Sequence, residues 1–259
     1  MEKTPYLKEQ ETVMQHDNSP SGSFEKEYSD LVDLAVHDLD APLRKLTLLV
    51  GMLTSKLLAD KDLQSYGERI VGCIEDMRSL IDDLSVLAKI NETEPIVSSC
   101  NLDLVVQQAI NELPKTIKDK QAVITSLSLP VIDGDNQLFT RLFRNLLENA
   151  IKFNKKNLHR EIHITSSILS SEEKTHLELN NEKHFYRIEI SDNGIGFKNE
   201  NAARIFQPFV RLHGKSQFPG NGIGLAICKK ITDIHHGIIY AEGRENEGAR
   251  FILILPERH

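Results

Sequence analysis

LVDLAVHDLDAPLRKL, residues Leu31 to Leu46, reads as a helix with a single apolar stripe. Leu31, Ala35, Leu39, Leu43 and Leu46 recur at steps of three and four. His37 lies two residues from Ala35 and two from Leu39. At about 100° per residue, that turns the imidazole roughly 200° from the stripe and so outward. Asp38 follows directly, and Pro42 interrupts the helix, removing a backbone hydrogen bond and kinking the chain. An outward imidazole beside a carboxylate suits a nucleophile with its own base. On a surface helix, the same pair is commonly only solvated.

Working outward, the helix is predicted from about Phe24 to Leu58, its stripe continuing through Val50, Leu53 and Leu57. After a turn near Ala59–Asp62, a second helix carries Leu63, Tyr66, Ile70, Ile74, Met77, Ile81, Leu84 and Ala88, ending near Ile90. Two such helices form an antiparallel hairpin. One hairpin has too little core of its own, so two copies are expected to pair into a four-helix bundle, a homodimer. The alternative is a hairpin packed on its own C-terminal domain. Residues 1–23 are expected to form a polar flexible tail, 24–93 the helical hairpin and 94–259 a second domain, with NETEPIV as the join.

The 259-residue chain has room for two such cores. A net charge of −7 disfavours non-specific nucleic-acid binding. No apolar run is long enough for a membrane span and no signal peptide is read at the N-terminus, so a cytoplasmic location is expected. Cys73, Cys100 and Cys228 fit neither a zinc site nor a disulfide framework and are expected to be reduced and buried.

The second half alternates strands and helices. Strands are predicted at Ile96–Cys100, Ala122–Leu129 and Val131–Ile132. Further strands follow at Glu161–Leu169, Phe185–Ser191, Ile238–Glu242 and Ala249–Leu255. Helices follow caps at Asn101 and Asp135, and a third spans about Gly224–His235, with Gly237 as its C′ residue. SSEEKTHLELNNEK reads as a charged surface insertion. The fold class is thus an antiparallel helical hairpin followed by an α/β sandwich.

Three motifs in this half bear on chemistry. In NLLENAIK, Asn145, Asn149 and Lys152 share one helix face, offering two amides and an ammonium in a setting that suits Mg²⁺ and phosphate, or else a polar surface stripe. In ISDNGIGF, a strand delivers Asp192 into a turn with Gly194 and Gly196, where a carboxylate can accept from an exocyclic amine; DNG is equally a hairpin turn. In GNGIGLAI, Gly220, Gly222 and Gly224 open a helix whose backbone N–H groups can face phosphates. The intervening segment holds Phe206 and Phe209 as apolar anchors expected in the core, with Arg211 and Lys215 as candidate phosphate contacts.

Taken in this order, these stretches resemble the sensor histidine kinases of two-component signalling. HDLDAPLRKL is similar to that family's H box, Asn145–Lys152 to its N box, Asp192–Gly196 to its G1 box, Ile205–Arg211 to its F box and Gly220–Gly224 to its G2 box. The resemblance implies a dimeric phosphoacceptor hairpin joined to an ATP-binding sandwich of the gyrase and histidine-kinase type. It implies ATP and Mg²⁺ as cofactors, with Asp192 reading adenine N6, Asn149 on Mg²⁺ beside Asn145, and Lys152 on phosphate. Residues between Arg211 and Gly224 would form a lid over the triphosphate. His37 would attack the γ-phosphoryl with Asp38 as its base, then pass the group to an Asp of a response-regulator receiver domain. A catalytically weak phosphotransfer or adaptor protein is the alternative.

Two departures matter. Ala41 stands where many relatives have Thr or Asn, which implies weak or absent phosphatase activity toward the regulator. Where water-activating ATPases of the wider superfamily carry Glu, this chain has Asn145, an amide that cannot act as a base, so phosphotransfer is expected over hydrolysis.

Overall fold

The computed structural model describes residues 39, 43–53, 61–92, 95–155, 159–214, 217–218 and 220–258. His37 and Asp38, expected from the sequence to be the phosphoacceptor and its base, lie outside the described residues, as do Ala41 and Lys215.

Helix α1 (residues 43–53) and α2 (Lys61–Glu92) are the two arms of the hairpin. Leu43 packs with Ile74 and Ile81 along the expected seam. The seam is narrow, and Leu46, Leu49, Met52, Leu53, Tyr66, Ile70 and Met77 remain exposed on the single chain.

Beyond the hairpin come β1 (Ser98–Asn101), α3 (Leu102–Asn111), α4 (Pro114–Lys120), β2 (Ala122–Ser126), β3 (Val131–Gly134) and α5 (Asn136–Lys152). They are followed by β4 (Arg160–Ile168), α6 (Ser171–His176), β5 (Phe185–Asp192), α7 (Gly224–Ile234), β6 (Ile238–Arg244) and β7 (Gly248–Pro256). Both predicted caps form. Asn101 Oδ1 accepts from the Asp103 and Leu104 amides, and Asp135 Oδ1 from Gln137 and Leu138. Helix α4 had no counterpart in the periodicity, although Pro114 at its first turn is a helix-start signal.

The main sheet runs β2-β4-β5-β7-β6, with β2 and β4 parallel and the other pairs antiparallel; β1 and β3 form a separate ribbon. Strand alternation sends Ile188, Ile190, Phe251 and Leu253 toward α3, α5 and α7, where they join Phe139, Leu142 and Ile227 in one buried core. Ile252 and Ile254 point to the opposite face. There they are covered by Leu177 and Leu179 of the charged insertion, which therefore packs rather than floats. Inside that insertion, Ser170 and Glu173 close a capping box, and the buried Lys174 ammonium donates to the Asn181 and Lys183 carbonyls.

Three local expectations are corrected. The left-handed C′ residue of α7 is His236 (φ 54°), not Gly237. His236 N–H bonds to Asp233 O and Gly237 N–H to Thr232 O, a Schellman pair. Phe206 is buried as expected, but Phe209 is 59% exposed and adopts φ 64°. Cys100 and Cys228 are buried, whereas Cys73 is exposed. Burial pushes the Cys100 thiol up to about 11 and that of Cys228 to about 12, so both stay protonated.

Candidate nucleotide site

Helix α5 brings the first set of polar groups. Its apolar residues face the sheet, so Arg141, Asn145, Asn149 and Lys152, at steps of four and three, line one cavity of about 950 Å³. Asn145 is only 5% exposed, and its amide donates to Gly224 O at 3.1 Å. It thereby ties the N-terminus of α7 to α5, a positioning bond that the helix period alone did not reveal. Asn149, one turn on, lines the cavity with its side-chain amide bonded to none of the described residues. One amide oxygen suits Mg²⁺ carried mainly by phosphates and water, not a caged ion. Among the described residues, no cluster of three or more His, Cys, Asp or Glu could hold a metal.

Asp192 sits at the end of β5, in register with Ala249 of β7. Its Oδ1 accepts from Gly194 N–H at 2.8 Å and Ala249 N–H at 3.4 Å, leaving Oδ2 for a ligand. Burial raises its carboxyl to about 6, against those two bonds. The turn behind it is anchored on three sides. Ile195 N–H donates to Phe153 O, Asn193 Nδ2 to His159 O, and Asn193 Oδ1 accepts from Glu161 N–H. Gly196 is left-handed (φ 61°), and a Cβ there would strike Arg244 O, so DNGIG is a tightly packed turn and not a two-residue hairpin. Neither Asn193 nor Phe153 was singled out from sequence, since each acts through contacts distant along the chain.

The glycine loop closes the third side. Gly220 (φ 136°) lies so near Lys152 that a Cβ would sit 2.6 Å from Nζ, and Gly222 (φ 75°) packs on Arg211. Burial, and then the Arg211 guanidinium, lower the Lys152 ammonium, as befits two cations converging where an anion would bind. Arg211 Nη2 holds Phe218 O at 2.7 Å, and the Phe218 ring packs on Phe153 and His213 at 5.1 and 5.4 Å. That aromatic group pins the described residues between Arg211 and Phe218 to the end of α5; no periodic signal announced it.

An acidic turn, an amide-and-ammonium helix face and a glycine-rich helix start thus surround one cavity. Residues 134–259 match the family described as histidine kinase-, DNA gyrase B- and HSP90-like ATPases. These residues belong to that ATPase family. The wider chain is homologous to sensor histidine kinases. It is 31% identical over 225 residues to cyanobacterial phytochrome A of Nostoc sp., covering 86% of this chain and 28% of the relative. It is 29% identical over 229 residues to the adaptive-response sensory kinase SasA of Prochlorococcus marinus, covering 86% and 57%. The fold is shared with full-length ShkA, solved in complex with AMPPNP, at a TM-score of 0.66 and 20% identity over 88% of this chain and 45% of that one. The ATPase-family residues supply every described site group above. No helix among the described residues is long and apolar enough to cross a membrane.

Proposed function

We propose that the chain is an ATP-dependent protein-histidine kinase that autophosphorylates on His37 and hands the phosphoryl group to an Asp of a response regulator. The observation that carries the reading is the convergence of Asn149, Lys152, Asp192 and the glycine loop on one cavity. In this reading, Asp192 accepts from adenine N6, Asn149 ligates Mg²⁺, and Lys152 with Arg211 and the Gly220–Gly224 amides neutralises the triphosphate. Bound Mg²⁺ would supply further charge neutralisation on the phosphates. A His37 ring nitrogen attacks the γ-phosphorus in line, the bond to the ADP oxygen breaks, and Asp38 takes the ring proton. Asn145 provides no base for water, which favours transfer over hydrolysis.

The phosphoacceptor hairpin is taken as residues 24–93 and the catalytic domain as 94–259. The exposed Leu46, Leu49, Met52, Tyr66, Ile70 and Met77 support pairing of two hairpins into a homodimeric four-helix bundle. Lys215 is assigned to the phosphates and the reaction to the cytoplasm.

Incubation with γ-labelled ATP and Mg²⁺ tests the reading, wild type beside His37→Gln. Alkali-stable, acid-labile label on wild type alone is expected. Equal labelling of the variant would overturn the assignment of His37, and nucleotide binding without labelling would favour the adaptor reading.

A further inference from the structure

Helix α2 belongs to the hairpin, yet it forms a wall of the nucleotide cavity. Glu75, Asp76, Asp82 and Asp83 line that cavity opposite α5 and the glycine loop, with Arg78 among them. The helix is held there by both apolar and ionic contacts. Leu80, Leu84, Leu87 and Ile90 join the core of the ATPase domain. One full turn before Asn145, Arg141 Nη2 meets Asp83 Oδ1 at 2.8 Å, with the two side chains 21% and 17% exposed. Burial outweighs Arg141 and leaves the Asp83 carboxyl raised, the mark of a pair withdrawn from water. Asn221 of the glycine loop reaches the Asp76 carbonyl at 3.5 Å.

This placement is electrostatically unfavourable for a triphosphate. The α2 wall brings four carboxylates and one guanidinium to a cavity whose other walls are mainly basic, Lys152 and Arg211 among them, with Glu148 and Asp192 as the acidic exceptions. We propose that the Asp83–Arg141 pair latches α2 across the nucleotide site in a resting arrangement, and that latch closure and triphosphate binding oppose one another. The inference rests on the ATP-site reading above. Binding of MgATP weakens the latch through repulsion from the acidic wall, and by linkage loss of the latch strengthens MgATP binding by the same factor. The coupling grows with phosphate charge, so ADP feels it less than ATP.

The test is equilibrium binding of MgATP and MgADP to the full chain, comparing wild type with Asp83→Asn and with the exchanged pair Asp83→Arg/Arg141→Asp. Asp83→Asn is expected to bind MgATP about fivefold tighter, with a smaller gain for MgADP. The exchanged pair is expected to return to wild-type affinity, because it restores the ion pair with the same net charge. Unchanged or weaker MgATP binding by Asp83→Asn overturns the latch, as does an exchanged pair that binds like Asp83→Asn. Absence of nucleotide binding in all three proteins, each folded by circular dichroism, would instead remove the ATP-site reading and the latch with it.

Discussion

His235 Nε2 accepts a hydrogen bond from the Asp135 amide at 3.0 Å, joining residues 100 positions apart. Its Nδ1 lies 2.7 Å from Ile231 O, so Nδ1 carries the proton and the ring is held as one tautomer. The imidazole is 1% exposed and stacks on Phe139 at 4.3 Å. The end of α7 is thereby bonded to the N-cap of α5, and these are the two helices that carry the glycine loop and the Asn149 face. His235→Ala removes an acceptor and a donor and opens a cavity, which should cost about 3 kcal/mol. Urea unfolding of the ATPase domain is the measurement, and a loss below about 1 kcal/mol would contradict this role.

Asp192, assigned above to adenine, also bears on stability. Its carboxyl is raised to about 6 in the fold from an ordinary 3.8, so the native state holds the proton more tightly than the unfolded chain. That favourable contribution is complete below pH 4 and is lost as pH rises through about 6. Asp192→Asn keeps an oxygen for the Gly194 and Ala249 amides without the buried charge. At pH 7.5 it should stabilise the unliganded protein by on the order of 2–3 kcal/mol, a gain that vanishes at pH 4. The same variant should bind MgADP at least about tenfold more weakly, and wild-type affinity should fall as pH drops below about 6. Calorimetric titration of both proteins across pH 5–8 checks this, since the variant should show no inflection there.

Asn145→Asp probes the bond to Gly224. A carboxylate there would face a carbonyl oxygen instead of donating to it, in a site only 5% exposed. The start of α7 should shift and MgATP affinity should fall about tenfold or more. Asn145→Ser, which can still donate, should lose less. Equal losses would mean that the amide acts on the ligand and not on Gly224.

Gly237→Ala separates packing from backbone conformation. Gly237 has no positive φ, but a Cβ there would stand 2.6 Å from Ile254 O and 2.7 Å from Leu255 Cδ2. The substitution should destabilise the domain by about 1–3 kcal/mol, read from the thermal midpoint. A neutral result would mean that β7 yields easily around Ile254 and Leu255.

Features written in neighbouring residues were legible in the sequence alone. The caps at Asn101 and Asp135 close within three residues, and strands such as β6 alternate with period two, so the main strands, α3, α5, α7 and the α/β sandwich could be read directly, whereas α4 and α6 could not. The motifs NLLENAIK, DNGIG and GNGIG named the amide, acidic and glycine-rich parts of the cavity lining because each is a local geometry imposed by glycines or one helix face. Tertiary structure decided the remainder. Whether Asn145 meets ligand or Gly224, which residue of the His236–Gly237 pair takes the left-handed turn, and where α2 lies all depend on groups many residues away. A helix period states which side chains share a face. What that face meets is set by the packing of other elements, as Asp83 meets Arg141 across 58 positions of chain.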